Sequence, residues 1–160
     1  MFDTVISRAT LIDGTGAAPY TADLGIQGNR IAAIGNLGAN ASAQTRIDGR
    51  GAWLTPGFVD IHTHYDGQAS WDETFSPSIH HGVTTVVMGN CGVGFAPRVP
   101  GREQALIELM EGVEDIPGAA LAEGVRFNWA SFVEYMQALD AQPHSLDFLV
   151  QVPHDPLRMA

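Results

Sequence analysis

The stretch Pro56-Gly57-Phe58-Val59-Asp60-Ile61-His62-Thr63-His64 reads as an apolar strand entered through a Pro-Gly break and left through two histidines. Side chains along a strand alternate between faces, so residues at i and i+2 project together, about 7 Å apart along the chain. Two imidazoles placed like His62 and His64 can share one metal centre. Asp60 lies two residues earlier, where it is expected to hydrogen-bond within the strand or to orient a ligand histidine.

Downstream, Val83-Thr84-Thr85-Val86-Val87-Met88 is a continuous β-branched and apolar run, the pattern of a parallel strand covered on both faces. Gly89-Asn90-Cys91-Gly92 follows it directly. A cysteine in a core is often only a small apolar residue. One placed just past a second strand, beside the end of the first, can instead bind zinc as a thiolate at about 2.3 Å while His62 and His64 approach from next door. Further elements alternate: a helix near Glu103 to Glu111, another near Trp129 to Leu139 with Asn128 as its cap, and a strand at Leu146 to Val152. That order reads as βα units and hence as an α/β fold. Phe132, Tyr135, Met136 and Leu139 form one helical stripe and are expected in the core. The connections Gly89 to Pro100 and Gly112 to Phe127 are long and rich in Gly and Pro, and are expected to face a substrate.

Upstream the pattern differs. Short strands at Thr4 to Ile12, Asp23 to Gln27 and Arg30 to Ile34 are broken by turns, with Gly28-Asn29 as a two-residue hairpin signal. A further strand pair is expected around Asp48-Gly49. Residues 1–53 are therefore expected to be a small antiparallel β-domain with a structural role, and residues 54–160 a second domain.

Composition excludes several partners. The chain of 160 residues carries eight arginines and no lysine against 18 acids, a net charge of -10 that repels nucleic-acid phosphates and anionic membrane surfaces. No run of 18 apolar residues is present, and Met1-Phe2-Asp3-Thr4-Val5-Ile6 lacks the basic leader and long apolar run of a secretory signal. Cys91 is the single cysteine, so no intrachain disulfide forms. A cytoplasmic location is expected.

The Pro-Gly-apolar-apolar-Asp-x-His-x-His pattern after a small β-domain resembles the amidohydrolase superfamily. That resemblance implies a small β-sandwich-type domain followed by the first strands and helices of a (β/α)₈ barrel, whose sites lie at strand C-termini. Gly82 to Gly92 and His62-Thr63-His64-Tyr65-Asp66 narrow the resemblance to the N-acyl-D-amino-acid deacylases. Glu114-Asp115-Ile116-Pro117-Gly118, Glu123-Gly124-Val125 and Trp129 to Tyr135 extend it along nearly the whole chain. In that family the cysteine and two histidines of later strands hold a tightly bound zinc, while the HxH pair forms a weaker second position. Carried over, Cys91 is the main metal ligand and His62 and His64 are accessory ones. The later histidines and the general-base aspartate have no counterpart before Ala160.

The implied activity is zinc-dependent hydrolysis of a non-peptide amide, releasing a carboxylate and a free amino acid from a small N-acyl amino acid. Two alternatives remain at this point: a hydantoinase- or dihydroorotase-like hydrolase of cyclic amides, and a catalytically inert fragment. The cyclic-amide relatives bridge two metals through a carboxylated lysine on a later strand. A barrel needs about 250 residues, so three strands are expected to be inert alone. The apolar third strand, with Leu149, Val150 and Val152 at its edge, is expected to drive association. Candidate substrate-lining residues are Asp66, which could instead form a turn, Arg98, which could meet a substrate carboxylate, and His154 beyond the third strand. His80 and His81 read as surface or packing residues and His144 as a loop residue.

Overall fold

A computed structural model of the chain describes residues 1–114 and 116–160, the Glu114 side chain excepted. Asp115, part of the Glu114 to Gly118 motif, lies outside the described residues. The chain divides into two compact units, Met1–Pro56 and Gly57–Ala160. The expected change at Leu54 comes slightly early, because Trp53–Leu54 still pairs with the first strand of the first unit.

The first unit is one five-stranded sheet. Strands β1 (Phe2–Leu11), β2 (Tyr20–Gln27) and β3 (Arg30–Gly35) are antiparallel neighbours. The turn between β2 and β3 is the predicted Gly28-Asn29, with Gly28 at φ 58°, a value that costs glycine nothing. Strands β4 (Ala43–Asp48) and β5 (Trp53–Leu54) both run parallel to β1, one beside its first half and one beside its second. The unit is therefore mixed rather than antiparallel. Two short strands, β4 and β5, do flank Asp48-Gly49 as expected, but they pair with β1 and not with each other; the segment between them is a break in a single path along β1, where the Gly49 N–H donates to the Ser7 carbonyl at 2.7 Å. The apolar alternation of β1 buries Val5, Ala9 and Leu11.

The second unit is built on three parallel strands in the order β6 (Phe58–Asp60), β7 (Val83–Met88), β8 (Asp147–Val150). Helices α1 (Glu103–Glu114), α2 (Gly118–Gly124), α3 (Phe132–Asp140) and α4 (His154–Met159) complete it. This is a mixed α/β architecture, as the alternation of patterns predicts. The core gathers Val86 and Met88 of β7, Phe75 and Phe95 of the connections, Leu106 and Met110 of α1, and Tyr135 and Leu139 of α3. Phe132 and Met136 of the predicted stripe pack against it from partly buried positions.

Several boundaries differ from expectation, each for a local reason. Helix α3 starts at Phe132, because Ser131 and not Asn128 is its cap: Ser131 Oγ accepts from Glu134 N, and Glu134 Oε2 accepts from Ser131 N at 2.8 Å. Such a capping box contributes about 1 kcal/mol. The Gly112 to Phe127 connection is not wholly a loop, since it contains the end of α1 and all of α2, with Leu121 fully buried. His154 opens α4 rather than a loop, and Pro156 sits in its first turn, where a missing N–H costs no helical bond.

Strands β7 and β8 of this unit are covered on one face, not two. Val86 and Met88 are buried, whereas Leu149 in the neighbouring strand is 60% exposed. Strand β6 is open on both faces, since the adjacent Phe58 and Val59 are both exposed, and Ile61 just beyond it is exposed as well. At the β8 edge Val150 proves partly buried against the core, so Leu149 and Val152 carry the apolar exposure there. Among the described residues, no helix is long and apolar enough to cross a membrane.

Candidate metal centre

The C-terminal ends of β6 and β7 bring three expected donors together. His62 and His64 follow β6, Cys91 follows β7, and one ligand atom from each lies within 4.8 Å of the others. His62 Nε2 stands 3.2 Å from Cys91 Sγ, and the two imidazole centroids are 5.4 Å apart. His62 and Cys91 are exposed and His64 is half-buried, so the cluster opens outward.

Local backbone geometry aims each donor. Asp60 Oδ1 accepts the backbone N–H of His62 at 3.2 Å, a local hydrogen bond to the main chain, the first of the two roles expected for that carboxylate. Thr63, between the histidines, faces the opposite way and is buried. Its N–H and its hydroxyl both donate to the Val87 carbonyl, at 2.9 and 2.8 Å, which ties the HxH segment to the end of β7. Cys91 is held in the left-handed region, φ 55°, between Gly89 at φ 80° and Gly92 at φ 81°. That tight turn folds the thiol back toward His62. Gly89 is required by a close approach as well, because a Cβ there would lie 2.2 Å from the Gln151 carbonyl oxygen.

The donor chemistry fits a zinc ion. Two imidazoles and one thiolate are nitrogen and sulfur ligands of the type zinc takes, at about 2.0 and 2.3 Å. Tetrahedral bonds of those lengths place N and S about 3.5 Å apart, close to the separation observed for His62 and Cys91. Burial, helped by the neighbouring His62, depresses the His64 pKa and so favours the neutral imidazole that binds metal.

The other candidates occupy different places. Asp66 does not line an open site: it is 1% exposed, beneath the turn that follows His64. Its Oδ2 accepts the Gly89 N–H at 3.2 Å, and its backbone carbonyl accepts the Tyr135 hydroxyl at 2.7 Å. Arg98 is not free for a substrate carboxylate. Its Nε donates to the Trp129 carbonyl at 2.6 Å, its guanidinium pairs with Glu103, and its N–H donates to the Ala130 carbonyl. It fastens the loop after Cys91 to α1 and to the approach to α3. His154 stands on the same rim, exposed, with Nδ1 2.9 Å from Asp155 Oδ1, and is not among the three clustered donors. His80 and His81 end a 3-10 turn before β7, at the opposite end of the strands. His144 contacts the Ala69 carbonyl and packs on Phe75 and Phe148.

Burial raises the Asp66 carboxyl to about 7. Its pKa is thus higher in the folded than in the unfolded chain, so its contribution to stability is full below about pH 4 and is lost as pH rises toward 7. The stability advantage of an Asp66→Asn variant over the parent is expected to grow between pH 4 and 7 and then level off. Denaturant melts of the metal-free protein across that range test it, and a difference independent of pH would refute it.

Two contributors to the cluster are not among the residues singled out from the sequence. Thr63 was within reach of that reading, since alternation places it on the inward face between two outward histidines. Asn90 gave no such signal: its side-chain contacts lie on segments far apart in the chain.

Comparison with known proteins bears on this cluster. A model of the amidohydrolase family matches residues 45–155. D-aminoacylase of Alcaligenes xylosoxydans xylosoxydans is 39% identical over 159 residues, covering 99% of this chain and 30% of that protein. A D-aminoacylase structure concerned with that enzyme's binuclear metal centre, its one-metal activation and second-metal attenuation, matches with a TM-score of 0.79 and 40% identity, covering 100% of this chain and 31% of the other. N-acyl-D-glutamate deacylase from Bordetella bronchiseptica, solved with zinc and a phosphonate mimic of its tetrahedral intermediate, matches with a TM-score of 0.74 and 38% identity, over 99% and 31% of the two chains. This chain spans about 30% of the length of the curated relative it matches.

Proposed function

The chain belongs to the amidohydrolase family, and from that premise we propose that it forms the metal-binding first part of a hydrolase of N-acyl-D-amino acids. The reaction would split the amide into a carboxylate and a free amino acid. The observation that carries this reading is the convergence of Cys91 with His62 and His64 at adjacent strand ends. A thiolate after the second parallel strand is the feature that separates the deacylase reading from the cyclic-amide one. Strands β6 to β8 are then the first three of a (β/α)₈ barrel, and the small sheet is part of a β-sandwich-type domain.

Cys91 is assigned to a tight zinc position, with His62 and His64 serving a second, weaker one. A zinc ion there would supply Lewis-acid polarisation of the amide carbonyl and acidify a water molecule. The chain's own residues set the geometry: Asp60 and Thr63 hold the HxH segment, the Gly89 to Gly92 turn aims the thiol, and His64 is kept neutral. His154 is proposed to line the rim. The proton shuttle is assigned to an aspartate outside residues 1–160. Three of eight barrel strands enclose no site, so these residues alone are expected to be inert. A reduced cysteine ligand suits a reducing compartment, and the cytoplasm is the proposed location.

The test is an assay of the protein as the cell makes it, loaded with zinc, against an N-acetyl-D-amino acid, its L-enantiomer and a hydantoin. Hydrolysis of the D-enantiomer, abolished by a chelator and restored by zinc, is the expected result. Turnover of the hydantoin alone would overturn the proposal in favour of a cyclic-amide hydrolase.

A further inference from the structure

Asn90 sits between Gly89 and the proposed metal ligand Cys91, and its side chain reaches three separate strand ends. Nδ2 donates to the Thr63 carbonyl at 3.1 Å and to the Val87 carbonyl at 2.9 Å, while Oδ1 accepts from Gln151 Nε2 at 2.8 Å. Both carbonyls can only accept, so the nitrogen must face them and the oxygen must face Gln151. Thr63 lies between His62 and His64, Val87 is in β7, and Gln151 follows β8. The side chain is half-buried.

We propose that Asn90 is a positioning residue of the metal centre: its amide locks the HxH segment to the Cys91 turn and so sets the distance from the thiol to the two imidazoles. The inference rests on the metal-binding reading of His62, His64 and Cys91. Without the amide, the Thr63 carbonyl and one of the Val87 bonds are released at the point where the first strand meets the second. The HxH segment then keeps its Thr63 bonds to Val87 but loses the bond from the Thr63 carbonyl to the residue next to the thiol. Asparagine is required rather than aspartate, since a carboxylate would face two carbonyl oxygens with no proton to donate. Gln151 acts through Asn90 by fixing the orientation of the amide. Outer contacts of this kind affect metal binding through ligand placement, not through ligand identity.

The test measures metal affinity and the thiolate-to-cobalt charge-transfer band of cobalt-loaded full chain, with thermal melts of the metal-free protein as the structural control. For Asn90→Asp we expect zinc affinity to fall about tenfold or more with a shifted band, and for Gln151→Leu a fall of about threefold. Affinity and band unchanged in both variants, with only the melting temperature lowered, would reduce Asn90 to a loop-stabilising residue and overturn the inference. If Asn90→Asp does not fold, Gln151→Leu decides by the same two readouts. Parent protein that binds no zinc or cobalt would sink the metal-centre reading itself, a different result from metal binding that both variants retain.

Discussion

Alanine at position 91 is expected to lower zinc affinity by about a hundredfold or more, above the 10–100-fold that loss of a supporting contact typically costs, and to abolish hydrolysis. Cys91 supplies the only thiolate in the chain and the only anionic donor of the three. The remaining pair, His62 and His64, are neutral ligands on one strand end. The turn itself should survive: Cys91 is exposed, and alanine carries no larger penalty than cysteine at φ 55°. Competition against a chromophoric chelator measures the affinity, and circular dichroism checks the fold. Zinc content equal to that of the parent would show that the thiol is not a ligand. Serine at the same position keeps the shape and offers oxygen, so it is expected to recover only a small part of the loss.

The second large effect is expected at Gly89. An alanine there adopts φ 80° and places its Cβ 2.2 Å from the Gln151 carbonyl oxygen and 3.0 Å from the carbonyl carbon. The left-handed backbone alone costs an L-residue about 1–2 kcal/mol, and the overlap is with backbone, which cannot swing aside. Relief requires Gln151 to move, which strains its N–H bond to the Met88 carbonyl, or Gly89 to move, which strains its own bond to Asp66. A total loss of about 3 kcal/mol or more is expected, with a fall in melting temperature of about 10 °C. Gly101→Ala is the control within the same unit, since Gly101 has φ 85° and no atom within 4 Å of the place its new methyl would occupy. The control should lose only the conformational part, so equal losses in the two variants would remove the steric argument.

What is legible in the sequence follows from short range. The hairpin at Gly28-Asn29, the βα alternation after Pro56 and the joint projection of His62 and His64 depend on periods of two to four residues and on local turn chemistry. The clustering of His62, His64 and Cys91 is readable for the same reason: these candidate donors end neighbouring strands, and a strand end is visible as a change from apolar run to glycine or histidine. What resists reading depends on partners distant in the chain. Parallel pairing of β4 with β1 spans 41 residues from Phe2 to Ala43 and leaves no mark in either segment. Asp66 resembles a site or turn residue in sequence because the hydroxyl that covers it comes from Tyr135, 69 positions later. Arg98 looks available because Trp129, whose carbonyl engages it, is 31 positions away. Helix α2 hides in a segment with glycine at both ends, whose few apolar residues carry little periodicity.

The 29-residue spacing between His62 and Cys91 also bears on the order in which the chain acquires structure. Closing a flexible loop of that length costs roughly 3 kcal/mol of chain entropy, which an ion shared between the thiol and the two imidazoles would help to offset. A nascent polypeptide that has reached Gly92 already holds all three donors, before α3 and β8 have been synthesised. Metal captured at that moment would act as a reversible cross-link on the unfolded ensemble, joining β6 to β7 in register while the remaining scaffold is still being made.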